Sequence, residues 1–472
     1  MPVDLRHAQY LDALPGWERA RDVIAGERRI KARGELYLPR LEGQSDVDYA
    51  AYRDRACFYN GTQRTHESLL GLVFRSAGVL KLPEDGSSAA AGLRRFVGSV
   101  DYVGLDFEAF ARKLMGEVLA VGRGGVLVDW VGGESGRPVG LFYAAEDILN
   151  WREERINGRQ VLTLVVLREW RPSAAGDDVF ASAAVEEYRV LRLVDGAGGK
   201  QAQAEVWGKV AGAWVVKETA PLHRAGRPLN FLPFLFFGGA GGADVPAIPL
   251  EHLIAVNLDH YRVDADYKHG LHYTALPTAY VAGIEMKDRL AVGSRTAWIL
   301  DSKEAKVGFL EFTGQGLLSF EKVLDRDERQ MAVLGSRMLE SQKRSYESAQ
   351  TIELRQTAEF CVLGVLAQSV SRCLTGVLRL AGWWLDRSAE LEAFGREVVA
   401  FDLTQDYTPL VMTGDAVNAL VGAWERGAIS RDTMLDALRR GEILLDARTN
   451  AQEAALAAAE GRGVVGGETK TK

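Results

Sequence analysis

PLEHLIAVNLDHYRVDADYKHGLH, residues 249–272, is the stretch from which the rest of the chain is best read. It opens at Pro249, which suits the first turn of a helix, and it stays free of helix breakers until Gly270. After it, TALPTAYVAG, the short strand TAWIL and KVGFLEF predict a small α/β insert over 274–312. A second long helix is expected from Leu317. Its apolar positions Leu317, Phe320, Leu324, Met331, Leu334 and Met338 keep three-and-four spacing, and only Asp327 falls out of pattern. Such a seam suits packing against neighbouring helices. LESQKRSYESAQ (339–350) is polar and predicts a loop or a broken helix. From Thr351 to Asp386 a helical pattern resumes for about 36 residues, or about 54 Å at 1.5 Å each. No proline lies between Pro277 and Pro409. A helix of that length exceeds the globular norm of about 8–20 residues and points to an assembly or a large scaffold.

Outward from this centre, residues 1–80 read as helical. Glu18 to Arg33 is charged and amphipathic, Pro39 breaks the pattern, and Ser45 or Asp46 can cap a helix through DYAAYRDRACFYN. Its aromatics Tyr49, Tyr52, Phe58 and Tyr59 are expected in the core at helical spacing. RTHESLLGLVFR (64–75) reads as a further helix. Another helix is expected over 101–121, ended by GRGG (122–125) and followed by the apolar strand VLVDW (126–130). Between 139 and 220 the period becomes two, and five antiparallel strands are expected, with Asn157-Gly158 as a tight hairpin and further turns at 196–200 and 210–212. Beyond 386 the chain predicts a strand in REVVAFDLT, a helix in GDAVNALVGAWERG, a helix capped by Ser430, an Ala/Glu-rich stretch from Ala451 and a mobile tail, GRGVVGGETKTK.

The 472 residues are 47% apolar and 26% charged, enough for a sizeable core and too apolar for a disordered chain. Lys and Arg number 57 against 64 Asp and Glu, a net charge of −7. A free-standing duplex-DNA binder usually carries a basic excess, and this chain does not. Cys57, Cys361 and Cys373 make an odd count without a CxxC, so buried thiols in a reducing compartment are expected. The N-terminus lacks an apolar signal region. PLNFLPFLFFGGAGGA (228–243) is too short and too broken by Pro233 and its glycines to span a bilayer as a helix. A soluble, intracellularly made protein is expected.

Four features could carry chemistry. GRGG resembles a phosphate cradle, but phosphate loops follow a strand and precede a helix, and here the order is reversed. No GxxxxGK[ST] occurs, so a P-loop ATPase is excluded at the level of motif. Asp266, His269 and His272 share one predicted helix face and could hold a metal, although HxxH with a distant carboxylate is a weak ligand pattern. The pairs Glu186/Glu187 and Asp264/Asp266 could serve acid–base work only across a cleft, and solvated side chains are the expected reading. No nucleophile motif accompanies them. The fourth is the polar stretch 339–350 with Lys343 and Arg344, which would project from a helical hairpin.

The order of elements, and the wording of several segments, resemble the portal proteins of tailed bacteriophages. The segments are YLPRLEGQSDVDYAAYRDRACFYNGTQRTHESLLGLVFR (37–75), GRGGVLVDW (122–130), EDILNWR (146–152), LNFLPF (229–234), AVNLDHYRVDADYKHGLH (255–272) and GSRMLESQKRSYESAQTIELRQ (335–356). They look like a portal subfamily catalogued as a domain of unknown function, and the likeness extends over nearly the whole chain. Many portals are longer, so a small crown is expected. The resemblance implies an α+β portal fold: residues 1–79 as the helical part of the wing, 80–248 as its β-rich part, 249–273 and 317–337 as stem helices, 274–316 as the clip, 338–351 as the tunnel loop, 352–385 as the long wing helix and 386–472 as crown and tail. It implies a ring, usually of twelve copies, at one capsid vertex, passing double-stranded DNA in packaging and ejection. Terminase large subunit, head–tail adaptor, major capsid and scaffolding proteins are the implied partners. The implied location is the virion, with host cytoplasm during assembly. Gln342, Lys343, Arg344 and Ser345 would face the DNA. No enzyme activity, cofactor, metal or membrane is implied. A channel that lets DNA slide should not grip it, because each neutralised phosphate adds salt-sensitive affinity. A net acidic chain with a few cations repeated around a ring fits that need. The other readings are a nucleotide- or metal-dependent phage hydrolase and a different head–tail connector.

Overall fold

The computed structural model describes residues 3–83, 86–133, 136–174, 182–196, 199–239, 242–274, 278–282, 306–310, 316–339, 361–386, 399–404, 407, 414–441, 443–444 and 448–459. The chain is α+β. Its N-terminal part is helical: α1 (Ala8–Ala25), α2 (Glu27–Arg33), α3 (Asp46–Arg55) and α4 (Gly61–Val73). Asp22 of α1 is buried and accepts from Arg29 Nε (2.7 Å), Arg33 Nε (2.7 Å) and Tyr37 Oη (2.8 Å), so a single carboxylate ties α1, α2 and the following turn together. Ser45 is the cap of α3, accepting from Asp48 N at 3.2 Å. That helix ends at Arg55, so Phe58 and Tyr59 belong to the connection into α4 and not to a helical face. Phe58 is still buried, whereas Tyr59 is 38% exposed.

The strand β1 (Val79–Lys81) leads to α5 (Ser88–Gly98) and α6 (Phe107–Val121). The helix expected over 101–121 starts six residues late, because Asp101 turns its side chain onto the backbone N–H groups of Val103, Gly104 and Leu105, and Asp106 then caps α6. Gly122 closes α6 in the left-handed conformation at φ 84°. β2 (Gly124–Val131) and β3 (Arg137–Ala144) follow as a hairpin.

β4 (Ile148–Ile156), β5 (Arg159–Ala174), β6 (Ser182–Gly196), β7 (Gly199–Val210) and β8 (Ala213–Pro221) form one antiparallel sheet in sequence order. Four of the five strands that alternation predicted lie here; the other, FYAAEDILNW (142–151), is divided, its first three residues ending β3, Ala145–Asp147 forming a tight 3-10 turn and Ile148–Trp151 opening β4. Asn157 and Gly158 both have positive φ (50° and 79°), as the tight turn between β4 and β5 requires. The short pair β9 (His223–Arg224) and β10 (Arg227–Pro228) precedes β11 (Phe234–Phe237), which pairs with β2 to complete a three-stranded sheet, β11-β2-β3.

α7 (Glu251–Thr274) begins two residues after Pro249, and α8 (Leu317–Arg337) runs back beside it. Between them, β12 (Thr278–Ala282) and β13 (Lys306–Leu310) pair antiparallel. The expected strand TAWIL lies outside the described residues. α9 (Val362–Leu385) crosses the centre of the molecule against α5, α6, β2, β3, β11 and β14 (Ala400–Asp402). The continuous helix expected from Thr351 is not formed at Cys361, whose backbone is extended (φ −80°, ψ 154°) and whose Sγ accepts from Gly364 N at 3.2 Å. Cys361 and Cys373 are buried thiols, as expected, but Cys57 is exposed. β14 pairs with β1, bringing residues 400–402 beside residues 79–81. α10 (Gly414–Glu425), α11 (Arg431–Arg440) and α12 (Asn450–Ala459) follow. Met434, Leu435 and Leu438 of α11 form a small apolar cluster of their own with Val417, Leu420, Val421 and Trp424 of α10. Ser430 caps α11 as expected. The tail after Ala459 lies outside the described residues.

Candidate assembly surface: the α7–α8 hairpin

α7 lies against the N-terminal helices, and beside its buried apolar residues Leu253, Ile254, Leu258 and Ala265 a set of polar side chains makes specific bonds there. Asn257 is fully buried; its Oδ1 accepts from Thr62 N (3.0 Å) and Thr62 Oγ1 (2.8 Å), and its Nδ2 donates to Tyr59 O (2.6 Å). Asp264 accepts from Cys57 N at 2.7 Å, Arg262 Nε donates to Tyr37 O at 2.9 Å, and Tyr52 Oη donates to Asp266 at 2.6 Å. Burial and that bond to a carboxylate push the Tyr52 phenol well above its ordinary value. The Phe58 ring meets Tyr261 edge-on at 5.7 Å. Two of the segments that carried the resemblance, 37–75 and 255–272, are therefore one interlocked unit.

α8 is held differently. Tyr267 Oη donates to Glu321 at 2.7 Å, Leu317 packs over Gly270, and Glu328 approaches His260 Nε2 at 3.7 Å. A side chain at Gly61 would collide with Met331, so α4 and α8 also meet closely. Asp327, the one residue out of the apolar pattern, is buried at 1% exposure. Its Oδ1 takes Arg326 Nε and Nη2 (3.1 and 2.9 Å), and its Oδ2 has no hydrogen-bond partner among the described residues. Glu321, Lys322, Asp325, Arg326, Glu328, Arg329 and Arg337 are all exposed, with Arg329 within 3.7 Å of Asp325 one turn earlier on the same helix.

The other sequence candidates resolve into packing. Gly124 and Gly125 sit in β2 where any side chain would enter the rings of Phe237 and Phe234. The GRGG glycines thus admit the LNFLPFLFF aromatics and do not cradle a phosphate. Arg123, between them, is almost fully buried with its guanidinium over Trp151 (3.9 Å) and Phe236 (4.6 Å). Burial lowers its pKa to about 9. His269 lies edge-on to Tyr52 at 5.1 Å and within 3.2 Å of Arg55 Nη2, while Asp266 is committed to Tyr52. No group of three potential ligands suited to a metal occurs among the described residues. Glu187 is buried between Lys217 (2.7 Å) and Arg171 (2.7 Å), whereas Glu186 lies near Lys209 at 3.8 Å. Consecutive strand residues point to opposite faces, so this pair cannot share a cleft. Glu187 and Asp264 are thus not the solvated acids the sequence suggested. A cavity of about 450 Å³ opens beside Arg95 and Arg137, but Arg137 spends both terminal nitrogens on the carbonyls of Ser99 and Asp101. Gln342, Lys343, Arg344 and Ser345 lie outside the described residues.

The sequence reading missed the polar face of α7. Asn257, Tyr261, Asp264 and Lys268 recur at helical spacing, a stripe that marks one face of a helix as readily as leucines do. No helix among the described residues is long and apolar enough to cross a membrane.

Residues 249–385, which span this hairpin, the strand pair and α9, match the family described as Domain of unknown function (DUF4055). A domain catalogued without a function is what the motifs of the sequence resembled. A search of curated proteins finds no match. Among solved structures, the chain is similar to one in the "Neck of empty GTA particle computed with C6 symmetry", at 14% identity and a TM-score of 0.40 over 86% of this chain and 98% of that one. It is similar to one in the "Neck of native GTA particle computed with C12 symmetry", at 14% identity and TM-score 0.39 over 87% and 98%. A chain of the "Virion of native gene transfer agent (GTA) particle" gives 14% identity and TM-score 0.37 over 86% and 98%.

Proposed function

We propose that the chain is the subunit of a phage portal: copies close into a ring, usually of twelve, at one capsid vertex, and double-stranded DNA passes through the ring during packaging and ejection. The observation that carries this reading is the α7–α8 hairpin within the matched segment 249–385. One helix is anchored inward by buried polar bonds, and the other presents a charged face to the outside. In this reading residues 1–79 and 80–248 are the wing, 249–273 and 317–337 the stem, and 274–316 the clip on which terminase and then the head–tail adaptor dock. Residues 338–351 are the tunnel loop, with Gln342, Lys343, Arg344 and Ser345 toward the DNA. Residues 352–385 cross the wing, and 386–472 form the crown. Major capsid and scaffolding proteins surround the ring in the virion.

The energy for translocation comes from another protein, since the sequence has no P-loop. The residues an enzyme reading would use are engaged in packing: glycines against Phe234 and Phe237, Asp266 against Tyr52, Glu187 between two cations. Closed rotational symmetry requires two different, complementary faces on each subunit. Negative-stain images of the purified full-length chain test the proposal. Rings with a central hole are expected, and uniformly solitary particles would contradict it.

A further inference from the structure

The first turn of α1 is capped by a histidine. His7 Nδ1 accepts from Gln9 N at 3.3 Å, at the position where a serine or an aspartate usually stands. A backbone N–H donates only to a nitrogen that carries no proton, so His7 is neutral, with its hydrogen on Nε2. The first turn of α1 contains no acid that could take over the cap. The same imidazole lies flat on Trp151 of β4, with ring centres 4.0 Å apart and planes at 24°.

Arg123 of β2 also lies over Trp151, at 3.9 Å. Two groups this close to one ring centre occupy its opposite faces, so the indole separates the imidazole from the guanidinium. Phe236 of β11 closes the far side of Arg123 at 4.6 Å. Arg123 is 2% exposed, and none of its three guanidinium nitrogens has a hydrogen-bond partner among the described residues. The acids whose charge reaches it are Asp244 and Glu153, neither of them bonded to it. Of the other charged groups around His7, Arg6 turns to the Tyr10 ring at 5.4 Å, Asp4 acts on Tyr188, and Asp12 is exposed beyond the first turn of α1.

Protonation of His7 therefore meets three obstacles at once. Nδ1 turns from acceptor to donor and confronts the Gln9 N–H. A positive charge arrives at the end of α1 where the helix dipole is already positive. It also arrives across the indole from a guanidinium. A cation on an indole face is ordinarily favourable, but this indole already holds one on its other face. Burial, then the Arg123 charge, keeps the His7 pKa below its ordinary 6.5. The remaining attachment of segment 3–7 is slight. His7 N donates to Leu149 O at 3.0 Å, Asn150 Nδ2 donates to Leu5 O at 2.9 Å, and Leu5 is 63% exposed.

We infer that residues 3–7 form an acid-released latch: protonating His7 uncaps α1, frees its first turn from β4 and uncovers Trp151. The open segment binds the proton more tightly than the closed one. The closed state is thus fully favoured above pH 6.5 and loses ground as pH falls below that value. The latch stands whether or not copies of the chain close into a ring.

Hydrogen–deuterium exchange of the full-length chain tests this, read on peptides covering residues 3–12 and corrected for the intrinsic pH dependence of exchange. Between pH 7.5 and pH 5 the protection of this segment is expected to fall by about tenfold, while peptides from α9 keep theirs. His7→Asn supplies a cap that does not protonate and should hold its protection at both pH values. Arg123→Met removes the charge and leaves an apolar chain on Trp151, and the fall should narrow to about threefold or less. The inference is overturned if the parent is equally protected at both pH values, or if His7→Asn declines as the parent does. A full tenfold fall in Arg123→Met would also overturn it, because the charge across the indole would then play no part.

Discussion

α9 and α8 are helices of similar length with opposite fates. α9 buries residues around most of its circumference, from Leu363 to Trp384, whereas α8 buries only Asp327 and Met331. A helix that is apolar nearly all round must lie inside a protein. One that is charged over half its surface is either solvated or waiting for a partner. In this molecule the core is organised around α9, and α8 keeps most of its surface exposed.

That contrast can be broken by substitution. Leu374 in α9 is fully buried, and Leu374→Ala is expected to cost about 2–5 kcal/mol, read from urea unfolding. Leu318→Ala on α8, at 60% exposure, should stay within about 0.5 kcal/mol. Equal losses at both sites would erase the distinction. Asn257→Ala comes next, because it leaves the Thr62 N–H and hydroxyl and the Tyr59 carbonyl without their partner. A loss of about 1–3 kcal/mol is expected, with faster amide exchange at the start of α4; unchanged exchange would mean that α7 does not anchor the N-terminal helices. Gly125→Ala in β2 sharpens the core side of the comparison. The added methyl would enter the Phe234 ring, and overpacking of this kind costs about 1–3 kcal/mol. A neutral outcome would require Phe234 to move aside without loss.

The smallest effect concerns pH. Burial, then the nearby Arg55 charge, lowers the His269 pKa below its ordinary 6.5. The unfolded chain then binds more protons than the folded one, so the stability this histidine contributes is present above pH 6.5 and is lost as pH falls below that value. Thermal melts of His269→Gln should decline less than the parent between pH 7 and pH 5.5. Parallel declines would remove His269 from the account. His7, stacked on Trp151 at 4.0 Å and also lowered by burial, adds a slope of the same sign.

Much of this was legible in the sequence. Period-two alternation marked the five-stranded sheet, Asn157-Gly158 its first turn, and three-and-four spacing the seam of α8. What was hidden depended on partners far along the chain. Nothing local says that Asp264 will take the amide of Cys57, or that Gly124 and Gly125 are small because Phe237 and Phe234 come to lie over them. Asp101 read as helical by composition, yet three local backbone bonds outcompeted the helix. Asp327 broke a hydrophobic pattern and was buried nonetheless, a cost offset in part by the guanidinium of Arg326.

The most direct test of the central claim is native mass spectrometry of the purified full-length chain at low ionic strength. A single closed multiple of the 51.7 kDa subunit is the predicted result. A 51.7 kDa species that persists at every concentration would contradict the account.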